Sequence, residues 1–207
     1  MRIIVTSVPG AGKTTILEIV KKKMPKVKIV NVGDVMFEIT KKKLNVKDRD
    51  EMRKLPINDW KKLQELAYKK IAKMRSRLLI IDTHVTLKSP HGYFPGIPDK
   101  DAELLNPDKL ILLEFNPADV AKRRRADLKL KKPKKTKVGT VRKPRKKRDI
   151  ETKKAIEEHQ KMNRDYAHIV GNVARCAVKI VDLSFKQKKP YEQAIKGAEE
   201  IIKELKE

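Results

Sequence analysis

The sequence predicts an α/β fold in which helices cover both faces of a parallel sheet. Short apolar runs alternate with helical stretches along the 207 residues, the pattern such folds produce. The run Leu78-Leu79-Ile80-Ile81 is continuously apolar rather than alternating, as a strand buried on both faces requires. A glycine-containing loop directly follows the first apolar run and opens the first helical stretch.

Strands are expected at residues 2–6, 27–31, 78–82, 109–114 and 178–181. Helices are expected at residues 13–23, within 34–43, and at 57–74, 117–125, 149–175 and 191–206. The last carries Ala194, Ile195, Ala198, Ile201, Ile202 and Leu205 at helical spacing, a stripe that docks one face on a core. Between the second and third strands lie more than forty residues, mostly helical. A minimal parallel crossover needs only about a dozen. No internal repeat or Gly/Ser linker marks a second independent domain, and this length fits one domain with a sizeable core.

Hydrophobic residues make up 39% of the chain and charged residues 38%, against about 25% charged in ordinary domains. With 52 Lys and Arg against 27 Asp and Glu, the net charge of +25 calls for anionic partners: nucleotides, nucleic acid or an anionic surface. The single cysteine, Cys176, excludes an intramolecular disulfide and multi-cysteine zinc sites, and reads as a small core residue on a helix. A cytoplasmic location follows as the expectation. The strand-like start Arg2-Ile3-Ile4-Val5-Thr6 argues against a signal peptide. No apolar run approaches the roughly 18 residues of a membrane span, so no membrane partner is expected.

The strongest local signal is Ser7-Val8-Pro9-Gly10-Ala11-Gly12-Lys13-Thr14-Thr15, between a strand and a helix, the context a phosphate-binding P-loop demands. Gly10 and Gly12 allow a tight turn whose N–H groups point at phosphate oxygens, with the positive helix N-terminus behind them. Lys13 can reach the β- and γ-phosphates, and the Thr14 hydroxyl can ligate Mg²⁺. Ser7 replaces the first glycine of G-x-x-x-x-G-K-[ST], which is accommodated if φ there is negative. Asp82, ending the third strand, either holds the magnesium through its water shell or caps the following turn; pairing with the P-loop favours the first.

Several segments between these anchors resemble the archaeal-type adenylate kinases, a family of P-loop nucleoside monophosphate kinases. They are NVGDVMFE (31–38), DRDEMRKL (48–55), Asp82-Thr83-His84, PHGYFPGIP (90–98), ELLNPD (103–108) and, more weakly, HQKMNR (159–164). The resemblance spans nearly the whole chain in order, apart from a basic insert. It implies a P-loop kinase fold with a five-stranded parallel sheet flanked by helices. It also implies a helical AMP-binding excursion over residues 33–75 and a lid over residues 126–149. ATP and AMP are the implied partners, with Mg²⁺ as cofactor and a homotrimer as assembly.

By the same resemblance Arg53 is assigned to the AMP phosphate, although taken alone it reads as a solvated surface arginine. Thr83 and His84 join it on the AMP side; His84 either donates to a phosphate or packs under the next loop. Lys88 stands where the family tends to carry a basic residue and is placed on the transferring phosphoryl. Arg123, Arg124, Arg125 and Arg148 flank the insert, with Arg164 further along the next helix. Phosphoryl transfer needs positive charge around the equatorial oxygens, and arginines on a hinged segment supply it when a lid closes.

Residues 129–148, KLKKPKKTKVGTVRKPRKKR, hold twelve Lys or Arg, two prolines and no acid. Such runs are usually solvated. Two sharper readings are an oversized lid that attracts ATP and a tether to nucleic acid. Without aromatic residues for base stacking, sequence-specific reading of nucleic acid is not favoured. The expected function is therefore an adenylate kinase, reversible MgATP + AMP to 2 ADP by direct in-line transfer. Alternatives are a nucleic-acid-associated P-loop ATPase of ribosome-assembly type, or a kinase for another nucleoside monophosphate.

Overall fold

The computed structural model describes residues 1–44, 52, 55–89, 92–136, 141–142 and 151–206. The chain opens with β1 (Arg2–Thr6), α1 (Lys13–Lys23), β2 (Lys28–Asn31), α2 (Val32–Leu44), α3 (Ile57–Ala72) and β3 (Leu79–Asp82). It continues through β4 (Thr86–Ser89), β5 (Gly92–Pro95), α4 (Asp99–Leu105), β6 (Lys109–Phe115) and α5 (Pro117–Leu128). It ends with β7 (Lys134–Lys135), β8 (Val141–Arg142), α6 (Lys153–Val173), β9 (Ala177–Leu183) and α7 (Glu192–Glu204).

The five expected strands form one parallel sheet in the order β2-β3-β1-β6-β9. Ile4 on the central strand lies beside Ile81 on one side and Leu110 on the other. Successive side chains of a strand point to opposite faces, and the two cores follow that period. Ile3, Val5, Ile80, Ile111 and Leu113 pack with Ile16 and Val20 of α1, Val120 of α5 and Ile201 of α7. Ile4, Leu79, Ile81, Leu110 and Leu112 pack with Val35 of α2, Tyr68 and Ile71 of α3, Leu105 of α4 and Val170 of α6. Burial on both faces is why Leu78-Leu79-Ile80-Ile81 shows no polar alternation. Truncating Ile4 or Ile81, each wholly inaccessible, to Ala would cost about 2–5 kcal/mol.

Local chemistry sets the helix ends. Asn116 caps α5 by accepting from the Ala118 N–H at 2.9 Å, with Pro117 at the first helical position. Thr152 caps α6 by accepting from the Ala155 N–H at 3.1 Å, so that helix begins later than its expected start at residue 149. Tyr191, at φ 67°, stands outside α7 rather than within it. The arginine run expected to end α5 lies inside the helix, which extends to Leu128. Cys176 is not helical: it is a half-buried residue in the turn between α6 and β9, against the second core.

Five elements, a hairpin, a helix and a short strand pair, lie outside the expected set. The β4–β5 hairpin pairs TLKS with GYFP, strands too short and mixed to give a clear alternation. Helix α4 is a short segment that starts after Pro98 and stops at the left-handed Asn106, too brief to establish a period. The β7–β8 pair is two residues per strand inside the basic run.

Candidate active site

A parallel sheet gathers its functional loops at the carboxyl ends of its strands. Here the ends of β1, β2, β3 and β6 deliver the P-loop, Asn31, Asp82-Thr83-His84 and the arginine helix α5. Gly10 and Gly12 have φ of 79° and 109°, values that require glycine. Gly12 stands directly before α1, and a Cβ there would also meet Arg123 Nη1 at 3.6 Å. Ser7 is fully buried, is not among the positive-φ residues, and donates its hydroxyl to the Val8 carbonyl at 3.2 Å. Serine thus fits where the P-loop pattern has its first glycine. Val8 and Ala11 anchor the loop in the core, Pro9 is half-buried, and Thr14 and Thr15 are exposed and half-buried on the first turn of α1.

Lys13 Nζ forms an ion pair with Asp82 Oδ1 at 2.7 Å and donates to the carbonyl of Thr83. That contact neutralises the buried oxygen, which becomes available to another cation only when Lys13 moves away. Asp82 Oδ2 accepts from Asn31 Nδ2 at 2.6 Å, a partner set by the register of β2 beside β3. The Thr83 hydroxyl lies 3.2 Å from that of Tyr68, which donates to the Gly96 carbonyl at 2.6 Å. Gly96 packs so tightly on the strand exit that a Cβ would fall 1.8 Å from the His84 carbonyl oxygen. That contact fixes one glycine of the GYFPGIP segment. His84 Nδ1 donates to the Ser7 carbonyl at 2.6 Å, tying the exit of β3 to the start of the P-loop.

The arginines of α5 hold the same loop. Arg123 donates to the Ala11 carbonyl and to Gln193 of α7, with its guanidinium 5.0 Å from the Phe115 ring centroid. Arg124, buried, donates through Nε to the Pro9 carbonyl at 2.9 Å and through Nη1 to Glu151. Arg125 is exposed. Lys88 on β4 joins the group by an ion pair to Glu151 at 2.9 Å. Arg164 is engaged elsewhere, in a two-pronged pair with Glu114 at 2.6 and 2.5 Å. Arg53 and Arg148 lie outside the described residues.

Asn31, Glu151 and Gln193 were not among the expected site residues. Their partners are far away in sequence, so no local motif marks them. Only the adjacency of β2 and β3 could have paired Asn31 with Asp82. The HQKMNR segment proves to be a brace. Gln160 bonds both the N–H and the carbonyl of Phe115 at 2.9 Å, while His159 and Asn163 both engage the Thr86 hydroxyl. Burial lowers the pKa of His159, keeping it neutral. Nearest-neighbour electrostatics also act on Glu151: Arg124 and Lys88 hold its carboxyl below the ordinary range despite burial.

No helix among the described residues is long and apolar enough to cross a membrane. The AAA domain family matches residues 6–142. Shikimate kinases from Bacteroides thetaiotaomicron and Aquifex aeolicus superpose with TM-scores of 0.56 and 0.53 at 13% identity, covering all of this chain and 99% and 96% of theirs. At that identity they speak for the P-loop kinase fold alone. The adenylate kinase of Pyrobaculum aerophilum is 41% identical over 204 residues, 98% of this chain and 95% of its own. That of Pyrococcus horikoshii is 36% identical over 205 residues, 98% and 92% of the two chains. That of Methanococcus aeolicus is 39% identical over 184 residues, 86% and 87%. Near-full-length identity at this level, on a sheet that brings P-loop, Asp82 and arginines together, establishes that the chain belongs to the adenylate kinase family of the archaea.

Proposed function

We propose that this phosphotransferase moves the γ-phosphoryl group of ATP directly to a phosphate oxygen of AMP, giving two ADP, and runs equally in reverse. The observation that carries the reading is the buried Lys13–Asp82 pair behind a loop whose carbonyls are held by Arg123 and Arg124. In the transfer, the bond between the γ-phosphorus and the β–γ bridging oxygen breaks as a bond to the AMP oxygen forms. No protein nucleophile is required. Catalysis rests on position and on charge around the transferred group.

Residues 7–15 take the ATP phosphates, and Lys13 exchanges Asp82 for the β- and γ-phosphates. The excursion of residues 33–75 and the exit of β3, with Arg53, Thr83 and His84, form the AMP side. Lys88, Arg123, Arg124 and Arg148 supply positive charge to the phosphoryl group, under a lid of residues 126–149. The residues present suit Mg²⁺: Asp82 offers a carboxylate that Lys13 would release to the metal's water shell, and Thr14 is exposed on the first turn of α1. Bound there, Mg²⁺ would draw charge from the β- and γ-phosphate oxygens. A cytoplasmic homotrimer belongs to the same reading, and sedimentation velocity at micromolar concentration checks the assembly.

The test is a coupled assay of ATP with AMP, CMP, UMP, GMP or no acceptor. Turnover confined to AMP is expected. Preference for another monophosphate would move the acceptor assignment, and turnover without acceptor would favour an ATPase. Among the described residues no specific observation favours the nucleic-acid-associated alternative.

A further inference from the structure

Among the described residues, buried polar side-chain atoms without a hydrogen-bond partner are concentrated at one place. Tyr93 Oη, Arg124 Nη2, Glu151 Oε1, His159 Nδ1 and Asn163 Nδ2 belong to residues of the β4–β5 hairpin, α5 and the first half of α6 with the residue before its cap; Asp82 Oδ1 in the P-loop pair completes the set. Buried polar atoms in folded proteins are nearly always satisfied, and the charged member of this cluster, Glu151, is satisfied by the ammonium of Lys88 and the guanidinium of Arg124.

Glu151 is the centre of charge in this group. It is half-buried, immediately precedes the Thr152 cap of α6, and marks where the chain returns from the basic insert. One carboxylate oxygen takes Arg124 Nη1 and the other lies 2.9 Å from Lys88 Nζ. Three chain segments therefore meet on one carboxylate: β4, α5 and the root of α6. Arg124 simultaneously holds the Pro9 carbonyl of the P-loop. Two oxygens on a single anion, bridging a guanidinium and an ammonium beside a phosphate-binding loop, reproduce what a phosphoryl group would offer the same cations.

We propose that Glu151 is a built-in competitor of the nucleotide phosphates: it neutralises Lys88 and Arg124 in the nucleotide-free protein and yields both to the incoming phosphate. The proposal rests on the assignment of Lys88 and Arg124 to the phosphate side of the kinase site. The exchange replaces one anion by another at the same cations, so neither cation is left without a counterion. It also spares Arg124 from standing buried and unpaired before nucleotide arrives, a costly state. Affinity is reduced by the fraction of molecules in which the cations are occupied. A clamp engaged nine-tenths of the time weakens phosphate binding about tenfold.

The experiment measures MgADP binding by calorimetry to wild type, Glu151→Asp and Glu151→Gln, with steady-state kinetics and thermal melts alongside. The Gln variant loses the competing charge and should bind MgADP about tenfold more tightly. Its KM should fall and its kcat should not rise, because release is slowed. The Asp variant, one methylene shorter, cannot span both cations and should bind about threefold more tightly. The expected order of affinity is Gln, then Asp, then wild type. A purely structural Glu151 gives the reverse: both variants bind more weakly, Asp staying nearer to wild type. Unchanged affinity in both would also overturn the proposal. If the Gln variant does not fold, the Asp variant alone decides. Loss of the kinase reading is seen separately, as a wild type that binds MgADP but does not turn over ATP with AMP.

Discussion

Lys13 and Asp82 neutralise each other across 2.7 Å, with both side chains less than a tenth exposed. The proposed phosphate cation and the proposed partner of the metal's water shell are thus one buried unit. On the proposed reading the unit opens to receive phosphate, and each side chain needs the other as counterion while it stays closed.

Lys13→Ala should therefore have two separable effects. Transfer should fall by at least about 10²–10³, as for loss of one preorganised charge at a reacting group. Nucleotide-free stability should fall on the order of 3 kcal/mol, because Asp82 is left as a buried charge without its counterion. Helix α1 itself stays docked through Ile16, Leu17 and Val20. Adding Asp82→Asn should return most of the lost stability and none of the activity, read by denaturant unfolding beside the coupled assay. Near-normal turnover in the single variant would contradict the P-loop assignment.

Arg53→Ala should weaken AMP use and leave ATP affinity nearly unchanged. A lost charge-assisted hydrogen bond costs about 1.5–3 kcal/mol, which is roughly a 10- to 150-fold rise in the KM for AMP. Equal losses for both nucleotides would remove Arg53 from the acceptor side.

Two carboxylates should shift stability in opposite directions with pH. Glu204 is paired with Lys109 and Lys179, whose hydrogen bonds lower its pKa; its neighbour Glu200, bound by Lys196 and Lys179, is drawn down to about 2. A lowered carboxyl pKa stabilises the fold above the ordinary value and loses that contribution as pH falls through the folded value. Glu204→Gln should thus cost about 1–2 kcal/mol at pH 7 and progressively less on acidification below the ordinary carboxyl range. Asp101, buried and close to Glu65, is pushed up to about 6. Its charged form penalises the fold above that pH, and the penalty fades as pH falls to the ordinary 3.8. Asp101→Asn should stabilise at pH 7 by on the order of 1–2 kcal/mol, since the N-terminus of α4 offsets part of the burial cost. Thermal melts of both variants from pH 3 to 8 check the signs.

The sheet strands were legible because hydrophobic burial on two faces imposes a continuous apolar run, and β1 and α1 have the boundaries read from residues 2–6 and 13–23. The P-loop was legible because its glycine conformations are local. Glu151 and Gln193 were not, because their meaning lies in partners 27 and 70 residues away, Arg124 and Arg123. The family resemblance marks Arg124 as a phosphate ligand, while its bond to Pro9 spans 115 residues and gives it a loop-holding role that no motif encodes. Arg164, equally basic in the sequence, is claimed by Glu114, a buried carboxylate at the far end of β6. Charge type was visible in each case; its counterion was decided by the fold.

The last prediction concerns residues 129–148, whose twelve cations neither the P-loop nor the acceptor site absorbs. Their described part includes the antiparallel β7–β8 pair, which joins Lys134 to Arg142 and Lys135 to Val141. The segment departs from α5, which carries Arg123 and Arg124, and returns towards Glu151 and α6. A strand pair rooted between those residues suits a lid that covers ATP. Replacing residues 129–147 with a short neutral loop, with Arg148 kept, should then raise the KM for ATP and alter the closing step. Arg123 and Arg124, left in place, should preserve part of kcat. As a nucleic-acid tether, the segment would instead be dispensable for kinetics and required for an RNA complex. Phosphate contacts release counterions, so that complex would weaken steeply between low and moderate salt. Kinase kinetics of the replaced variant, beside RNA binding of the intact chain across a salt titration, separate the two. Altered ATP kinetics support the lid; unchanged kinetics with tight, salt-sensitive RNA binding lost on replacement would overturn it.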